Sequence, residues 1–504
     1  MEFTELFHNL ILGFTVAATP MNLVYCFIGV FIGTLIGVLP GIGPVATIAM
    51  LLPLTFNLAA IPALIFLSGI FYGAQYGGST TSILVNLPGE ASSVVTCIDG
   101  HQMAKQGRAG AALAIAAIGS FLAGCVSTLL IAVAGPPIAE IALKFGAPEY
   151  FSMMLMGLVC ASVLAQGSLL KSLAMVTVGL LIGIVGTDVN SGMSRFTFGL
   201  AGLSDGVGFV VVAMGVFGLA EIIGNLGKPD ESREILNKKI TGLWPTWPDF
   251  KASFGPIVRG TCIGSFFGTL PGTGPAISAF ASYAMEKKLA KDPSRFGKGA
   301  IEGVAGPESA NNAAAQTHFI PLLTLGIPGS ASMALMLGAM TIQGIAPGPQ
   351  VMTQRPDLFW GLIASMWIGN AMLVALNLPL IGIWVKLLKV PYRLLFPIIM
   401  TFMAIGTYSL SNTAFDLYCM ALFGFMGYLW AKLKCEFAPM ILALVLGPLM
   451  EENLRRALLI SRGDPTVFFT RPISAGFLIV TAIFLLLMIM PNFRKTRVEA
   501  MVED

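Results

Sequence analysis

The sequence predicts an all-α polytopic membrane protein built from two inverted repeats whose helices are broken inside apolar segments. Of the 504 residues, 56% are hydrophobic and 11% are charged, and the mean hydropathy is +0.82; soluble domains carry about 25% charged residues. One segment of the first half recurs in the second half, and proline and glycine interrupt both copies. Inside a bilayer, a chain of this kind satisfies its backbone hydrogen bonds as helices.

The composition also argues against several classes of protein. The formal net charge is +3, and no polybasic surface predicts binding of nucleic acid. The seven cysteines form no CxxC pair and only three histidines are present, so we expect neither disulfides nor a His-rich metal site. The first twenty residues carry two glutamates and no Lys or Arg, so we expect the first apolar stretch to stay in the mature chain.

Charge clusters divide the chain into segments. We predict a first transmembrane repeat at 1–223, a polar linker at 224–255, a second repeat with C-terminal spans at 256–490, and a tail at 491–504. At about 20 apolar residues per crossing, the chain could hold about ten to twelve spans, some of them broken. Basic residues follow the last apolar run, so the positive-inside rule predicts a cytoplasmic tail.

The internal repeat is the strongest signal in the sequence. Gly29–Pro44 (GVFIGTLIGVLPGIGP) aligns with Gly260–Pro275 (GTCIGSFFGTLPGTGP) at a constant offset of 231, with nine identities in sixteen positions. A weaker match follows in each half, where LVNLPGEAS at Leu84–Ser92 resembles LTLGIPGSAS at Leu323–Ser332. Together the two matches indicate a duplication.

Corresponding loops of the two repeats carry opposite charge loads. No charged residue lies in 45–75, but the equivalent part of the second half holds five basic residues in 286–298. After the Pro-Gly pairs the pattern reverses, with Lys105 and Arg108 in the first half and one basic residue, Arg355, in the second. Because basic loops are cytoplasmic, the repeats are predicted to be inverted, as in many secondary transporters. Two parallel repeats with irregular loop charges are the alternative.

The shared pattern PGxGP marks a helix break in each repeat. A break at membrane depth is tolerated only where it is buried in protein or faces a watery cavity. The half-helix after the break presents free N–H groups to an anion, and the half-helix before it presents carbonyls to a cation such as sodium. Close packing or a kink is the alternative. The predicted substrate and ion site therefore includes Pro40, Gly41, Gly43, Pro44, Pro271, Gly272, Gly274 and Pro275.

A second pair of breaks is flanked by polar groups. The Pro-Gly pairs at Pro88 and Pro328 follow apolar runs too short to cross a bilayer, which favours re-entrant hairpins with these pairs near their tips. An ordinary loop turn is the alternative. The neutral side chains nearby can bind sodium and a carboxylate, or can link helices by hydrogen bonds. The residues added to the predicted site are Ser79, Thr80, Asn86, Asn311, Asn312, Thr324, Pro328, Gly329 and Ser330.

Charged residues are weaker candidates for the site. Asp188, Arg195 and Asp205 lie in a Gly- and Ser-rich stretch, which favours a solvated loop. Glu308 is the exception, because it adjoins the two asparagines. Neither PGxGP window contains Lys or Arg, so helix ends, amides and a coupling cation would have to hold an anion there.

Three long segments of the sequence resemble a known family. GTLIGVLPGIGPVATIAMLLPLTF, YGGSTTSILVNLPGEASSVVTCIDGHQMAKQGRAGAALAIAAIGSF and PESANNAAAQTHFIPLLTLGIPGS are similar to the large membrane subunit of tripartite tricarboxylate transporters, the TctA family. The resemblance implies a bacterial inner-membrane permease that receives a carboxylate from a periplasmic binding protein and works with a small TctB-like membrane subunit. It further implies transport driven by an ion gradient, with sodium as the coupling ion, and an elevator-type carrier.

Other classes of function make different demands on the sequence. A membrane-embedded enzyme needs a nucleophile with a base, paired aspartates or a metal-binding acidic cluster. The sequence contains no GxGD, DxxD, HExxH or Walker A motif, so we expect neither an enzyme nor a bound cofactor. A passive channel or a stand-alone carrier for small anions is the alternative function, and it would not depend on a binding protein.

Overall fold

The computed structural model describes residues 3–39, 43–164, 168–188, 191–226, 242–270, 274–388 and 392–489. The helices of the first half are α1 (Phe3–Ala17), α2 (Pro20–Val38), α3 (Pro44–Leu51), α4 (Ala60–Val85), α5 (Val94–Lys105), α6 (Ala109–Ala142), α7 (Ala147–Leu164), α8 (Leu169–Gly183), α9 (Phe209–Ala213) and α10 (Ala220–Leu226). The helices of the second half are α11 (Trp247–Gly268), α12 (Gly274–Leu289), α13 (Glu302–Thr317), α14 (Phe319–Leu325), α15 (Ala331–Ile342), α16 (Gln350–Gln354), α17 (Pro356–Asn377), α18 (Ile381–Leu387), α19 (Tyr392–Ser411), α20 (Ala414–Lys432), α21 (Ala438–Ile460), α22 (Val467–Thr470) and α23 (Pro472–Ile489).

Short elements complete the described chain. Short 3-10 helices lie at Leu52–Asn57, Ala91–Ser93, Ala201–Leu203 and Pro293–Arg295, and a π-helical segment at Met214–Leu219 joins α9 to α10. Two strands, β1 (Gly186–Thr187) and β2 (Ser194–Arg195), pair antiparallel. Among the described residues, six helices are long and apolar enough to cross a membrane, and six shorter apolar helices accompany them. The predicted all-α polytopic membrane protein is therefore confirmed at this level.

Both halves place a stripe of glycines on the helix that leads to the PGxGP break. On α2, Gly29 and Gly33 lie against the backbone carbonyls of Phe66 and Ile70 of α4. On α11, 231 residues later, Gly260 and Gly264 lie in the same way against α13. A Cβ at any of these glycines would overlap a carbonyl oxygen, so the stripe lets two backbones approach as in small-residue packing of membrane helices.

The Pro-Gly turns of the two halves are also built alike. The helix before each turn ends at a residue with left-handed backbone, Asn86 with φ 56° and Gly326 with φ 70°. The next helical turn starts after Glu90 in the first repeat and after Ser330 in the second. The φ and ψ angles of these two residues agree within about 5°. The duplication seen in the sequence is therefore repeated in the backbone.

The second repeat forms a helical hairpin around its PGxGP motif. Arg259 near the middle of α11 pairs with Glu286 near the end of α12 at 2.6 Å, so these two helices run antiparallel on either side of residues 270–274. At the other break, Ser93 packs against Gly78 and Gly100 packs against Ile83, so α5 resumes the direction of α4. Between these helices the chain folds back along α4, because Gly89 lies against Gly78 and Ser92 Oγ lies 2.9 Å from Gln75 Oε1. The turn at Pro88 is therefore part of a segment that folds back beside a 26-residue helix, and it is not the tip of a helical hairpin.

Helices that occupy equivalent places in the two halves pack antiparallel. Each follows a Gln-Gly turn, α6 after Gln106 and α17 after Gln343 and the short α16. Gly124 of α6 lies against Asn370 of α17, and Gly135 lies against Phe359, so the residue order runs in opposite directions. The two Gln-Gly turns consequently lie at opposite ends of this helix pair.

Each Gln-Gly turn contacts the other repeat. Gln106 Nε2 donates to the carbonyl of Lys298 at 2.7 Å, and Gln343 Nε2 donates to the carbonyl of Thr55 at 2.8 Å. Because of the first contact, the basic segments around Lys105 and Lys298 lie on the same face of the protein. Arg108 also pairs with Asp249 on this face, at 2.5 Å. We call this the basic face; it comprises 105–108, 246–251 and 287–298.

The predicted linker 224–255 is helical at both ends, because α10 extends to Leu226 and α11 begins at Trp247. A capping box in which Thr246 and Asp249 exchange hydrogen bonds begins α11. Residues 227–241 and the predicted tail at 491–504 lie outside the described residues.

An ion pair between the buried Asp188 and the half-exposed Arg455 joins the β-hairpin to α21, so Asp188 is not the solvated loop residue that was expected. Asp188 is buried and accepts from Arg455 at 2.9 Å. Arg195 pairs with Glu451 at 2.8 Å on the same helix. The loop prediction considered the local glycines and serines, whereas the partners of both residues lie more than 250 residues away.

Candidate functional site

A central cavity of about 570 Å³ lies where the two halves meet. The last two residues of each PGxGP motif and both Pro-Gly turns border it. Its lining from the repeats is Gly43, Pro44, Val45, Ala46, Phe71, Gln75, Pro88, Gly89, Glu90, Ala91, Ser92, Gly274, Pro275, Ala276, Ile277, Gly329, Ser330, Ala331 and Ser332. Its lining from the other helices is Ala161, Phe217, Glu221, Cys435, Glu436, Phe437, Ala438, Pro439 and Leu442. Residues of the two halves that are far apart in sequence thus form one site.

Five helical segments begin at residues that line the central cavity. They are α3, the turn at Ala91–Ser93, α12, α15 and α21. Proline occupies the first turn of α3 and α21, where its missing amide hydrogen costs no helical bond. Free backbone N–H groups and the positive ends of the helix dipoles make such starts attractive to anions. The cavity is therefore suited to carboxylate groups.

The charged side chains that line the cavity are all acidic. They are Glu90, Glu221 and Glu436, and the described lining contains no Lys, Arg or His. Three aromatic rings, those of Phe71, Phe217 and Phe437, form apolar walls. An anion would therefore be held by N–H groups and hydroxyls, and a cation bound nearby would offset the acidic charge.

Close contacts fix both Pro-Gly turns against neighbouring segments of the chain. A Cβ at Gly89 would overlap the carbonyl oxygen of Gly37, and a Cβ at Gly329 would overlap the imidazole ring of His318. The two turns differ in surroundings, because Leu87 and Pro88 are exposed while Ile327 and Pro328 are buried. The cavity is thus bordered by one exposed turn and one covered turn.

A polar cluster lies behind the first Pro-Gly turn. Glu308 of α13 is fully buried; it accepts a hydrogen bond from Ser79 at 2.5 Å and another from Thr96. Ser92 lies within hydrogen-bond distance of Glu90 and of Gln75 Oε1, the latter at 2.9 Å. Glu90 borders the cavity, so the cluster connects the cavity to the contact between the repeats.

The predicted site residues fall into three groups. Those that line the central cavity are Gly43, Pro44, Gly274, Pro275, Gly329 and Ser330. Those in the polar cluster or next to it are Ser79, Asn311 and Asn312. Those outside the cavity lining are Thr80, Asn86, Thr324 and Pro328. Pro40, Gly41, Pro271 and Gly272 lie outside the described residues.

Hydrogen bonds to helices occupy several of the polar side chains. Thr324 donates to the carbonyl of Ile320 at 2.7 Å. Asn312 donates to Ser120 at 2.7 Å and to the carbonyl of Glu308 at 3.0 Å. The bond from Asn312 to Ser120 links α13 to α6, as in the helix-linking alternative, whereas the other two bonds stay within their own helix.

Sequence reasoning missed the acidic lining. Glu90 follows the first Pro-Gly pair directly and matches Ser330 of the second repeat, so its alignment position was the available signal. Glu221 and Glu436 lie outside the aligned segments, and no pattern in the sequence pointed to them. Their place at the cavity depends on α10 and α21, which pack beside the repeats.

Comparisons with known proteins give a consistent result. The profile described as "Tripartite tricarboxylate transporter TctA family" matches residues 23–442. An uncharacterized 52.8 kDa protein of Agrobacterium vitis, from the TAR-I ttuC' 3' region, is 58% identical over 500 residues, which are 99% of each chain. An uncharacterized protein from the TAR-II ttuC' 3' region of the same organism is 58% identical over 241 residues, 48% of this chain and all of the relative. No solved structure matches.

Proposed function

We propose a function on the premise that this chain belongs to the tripartite tricarboxylate transporter TctA family, whose profile matches residues 23–442. It is a transporter subunit of the membrane. In our proposal it is the permease of a binding-protein-dependent secondary transporter in a bacterial inner membrane, and it imports tricarboxylates or related carboxylates.

The central cavity is the observation that carries this proposal. Two breaks at equivalent places in a duplicated chain meet there, and corresponding broken helices are a marker of transporter binding sites. Five helix starts supply N–H groups for carboxylates, and hydroxyls such as those of Ser330 and Ser332 add further donors. Apolar walls match the carbon skeleton of such a substrate.

Sodium is the proposed coupling ion, because its charge would offset both the substrate carboxylates and the acidic lining. The proposed partners are a periplasmic carboxylate-binding protein and a small TctB-like membrane subunit. Together with the bilayer, they complete the working complex. The sequence of this chain has no Walker A motif, so the proposal assigns it no ATP hydrolysis.

We propose that the two repeats are inverted and that a domain containing both PGxGP breaks moves as an elevator. The antiparallel packing of α6 and α17 supports the inversion. So do the reciprocal contacts from Gln106 to Lys298 and from Gln343 to Thr55. By the positive-inside rule, the basic face is cytoplasmic and the face with Gln343 is periplasmic.

Labelling from one side of the membrane tests the inversion. We expect Lys105→Cys to react with a membrane-impermeant maleimide only from the cytoplasmic side, and Gln354→Cys only from the periplasmic side. Both side chains are exposed, and they lie in the equivalent parts of the two repeats with opposite charge loads. The background is a chain whose seven native cysteines are alanine. Reaction of both variants from the same side would contradict inverted repeats.

Uptake into proteoliposomes tests the function itself. The chain and its small membrane subunit are reconstituted, and entry of labelled citrate and related carboxylates is measured with and without a sodium gradient and the binding protein. We expect uptake that needs both. Uptake that ignores the binding protein would instead favour a passive channel or a stand-alone carrier, and uptake that ignores sodium would remove sodium as the coupling ion.

A further inference from the structure

We propose that Glu308 is a proton-binding site, placed between the two repeats and connected to the central cavity through Glu90. The proton would be a further coupling ion of the carrier proposed above, so its transport role depends on that function. The binding site itself depends only on the contacts of the polar cluster.

The surroundings of Glu308 leave its charge uncompensated. The side chain is fully buried, and its two oxygens face the hydroxyls of Ser79 and Thr96. Among the described residues, no Lys, Arg or His forms an ion pair with it. A buried carboxylate without a counter-charge costs several kcal/mol. Binding a proton neutralises the carboxylate of Glu308 and so removes this cost.

The number of hydrogen atoms available for hydrogen bonds in the polar cluster also indicates a protonated Glu308. Ser79 Oγ lies 2.5 Å from Glu308 Oε2 and 3.1 Å from the carbonyl oxygen of Gln75, although a hydroxyl has one hydrogen to donate. If Glu308 carries a proton, it donates to Ser79, and Ser79 donates to the carbonyl. Ser92 is placed likewise, between Glu90 and Gln75 Oε1. Protons on Glu308 and Glu90 would supply the hydrogen atoms that these two hydroxyls lack.

Asn311 supplies an independent observation. It is 1% exposed, and neither atom of its amide has a hydrogen bond of standard geometry within the described structure. The amide nevertheless lies close enough to interact with both Glu90 and Glu308. An amide can donate to an ionised carboxyl and accept from a protonated one, so Asn311 suits a site where the proton changes place.

The contacts of Glu308 favour a proton over a metal ion. The two hydroxyls touch the carboxyl group directly, which leaves no room for a metal ion between them. The described residues also contain no group of three His, Cys, Asp or Glu side chains that could hold one. Sodium, in our proposal, binds elsewhere in the carrier.

Other titratable groups face the site from the neighbouring helices. Tyr76 of α4 and Cys97 of α5 are close enough for their charges to interact with Glu308, as is Glu90. Phenols and thiols ordinarily ionise above neutral pH, whereas carboxyls are the groups that burial brings towards it.

The charged side chains on the remaining helices near Glu308 bond to partners other than Glu308. Those of α11 and α12 near the site, Arg259 and Glu286, pair with each other. Asp99 of α5 accepts from the N–H groups of Gly299 and Ala300. Helix α6 contributes a neutral group, Ser120, to the neighbouring Asn312.

Infrared titration of the full chain in lipid tests the site without transport. We expect the wild type to show a carbonyl band of a protonated carboxyl near neutral pH, and Glu308→Gln to lack one component of it. The matched control is Glu302→Gln on the same helix, where Glu302 pairs with Arg295 at the surface and the band should remain. An unchanged band in Glu308→Gln would overturn the proposal.

A second variant covers the case in which Glu308→Gln does not fold. Thr96→Val removes one hydroxyl contact of Glu308 and no charge. We expect it to shift the frequency of the same component, because hydrogen bonding to the carboxyl sets that frequency. An identical spectrum in Thr96→Val and the wild type would count against Glu308 as the source of the band.

Uptake at zero sodium gradient then tests the coupling. We expect a pH gradient, acidic outside, to stimulate carboxylate uptake by the wild type and by Glu302→Gln, and Glu308→Gln to lose that stimulation. Sodium-driven uptake with no response to the pH gradient would overturn proton coupling and leave the proposed function intact. Absence of carboxylate uptake under every condition would instead overturn the proposed function, while the infrared result would still decide the proton site.

Discussion

Replacing Gly43 by phenylalanine is expected to abolish carboxylate uptake while the chain still folds. Gly43 lines the central cavity just before α3, and a Cβ added there meets no atom within 4 Å. Its φ of −75° suits any residue. The ring would therefore enter the cavity and cover the N–H groups at the start of α3, where we place a carboxylate. We expect the affinity to fall at least about a hundredfold, or about 2.8 kcal/mol.

The matched control for this substitution is Gly476→Phe. Gly476 is exposed on α23, away from the cavity, and its Cβ also meets nothing within 4 Å. Uptake and substrate binding should be close to the wild type in this variant. If Gly43→Phe folded and took up carboxylates normally, the central cavity would not be the substrate site.

Replacing Gly264 by leucine is expected to prevent the second hairpin from packing. A Cβ at Gly264 would overlap the carbonyl oxygen of Ala310 in α13, and neither backbone can move away easily because the glycine stripe fixes both helices. Overpacking of this kind costs about 3 kcal/mol or more. We expect little folded protein in the membrane, measured by fluorescence-detected size-exclusion chromatography.

Gly476→Leu controls for adding leucine to a membrane helix, and it should give wild-type amounts of folded protein. The equivalent glycine of the first repeat, Gly33, should behave as Gly264 does, because it lies against Ile70 in the same way. Normal folding of Gly264→Leu would contradict the close contact between α11 and α13.

The duplication and the two PGxGP breaks could be predicted because they are local patterns in the sequence. Gly29–Pro44 and Gly260–Pro275 share both the glycine stripe and the break, and the structure uses both. The helices around the Pro-Gly pairs could not be predicted in this way. The short apolar run before Pro88 suggested a re-entrant hairpin, and the chain does fold back there, but glycine, serine and threonine extend α4 back to Ala60 and α5 runs parallel to it.

The sequence alone cannot tell which polar residues belong to the candidate site and which only bond to helices. A serine or asparagine in a membrane helix can bind a ligand or a neighbouring helix, and the local sequence around it is the same in both cases. Thr324 bonds its own helix, whereas Ser79 contacts Glu308 across the interface of the repeats. Glu90 and Glu308 are 218 residues apart, so the polar cluster they form depends on how the two halves pack.

Protection of cysteines by the substrate tests the central claim, that both repeats contribute to one carboxylate site. Ala91 and Ala276 line the cavity from the two repeats, and Ala59 is an exposed control before α4. Each is changed to cysteine in the chain whose native cysteines are alanine, and the rate of maleimide labelling is measured with increasing carboxylate. We predict slower labelling of Ala91→Cys and Ala276→Cys with the same half-maximal concentration, and no change for Ala59→Cys. Unchanged rates at Ala91→Cys and Ala276→Cys, while the same carboxylate is taken up, would contradict a shared site in this cavity.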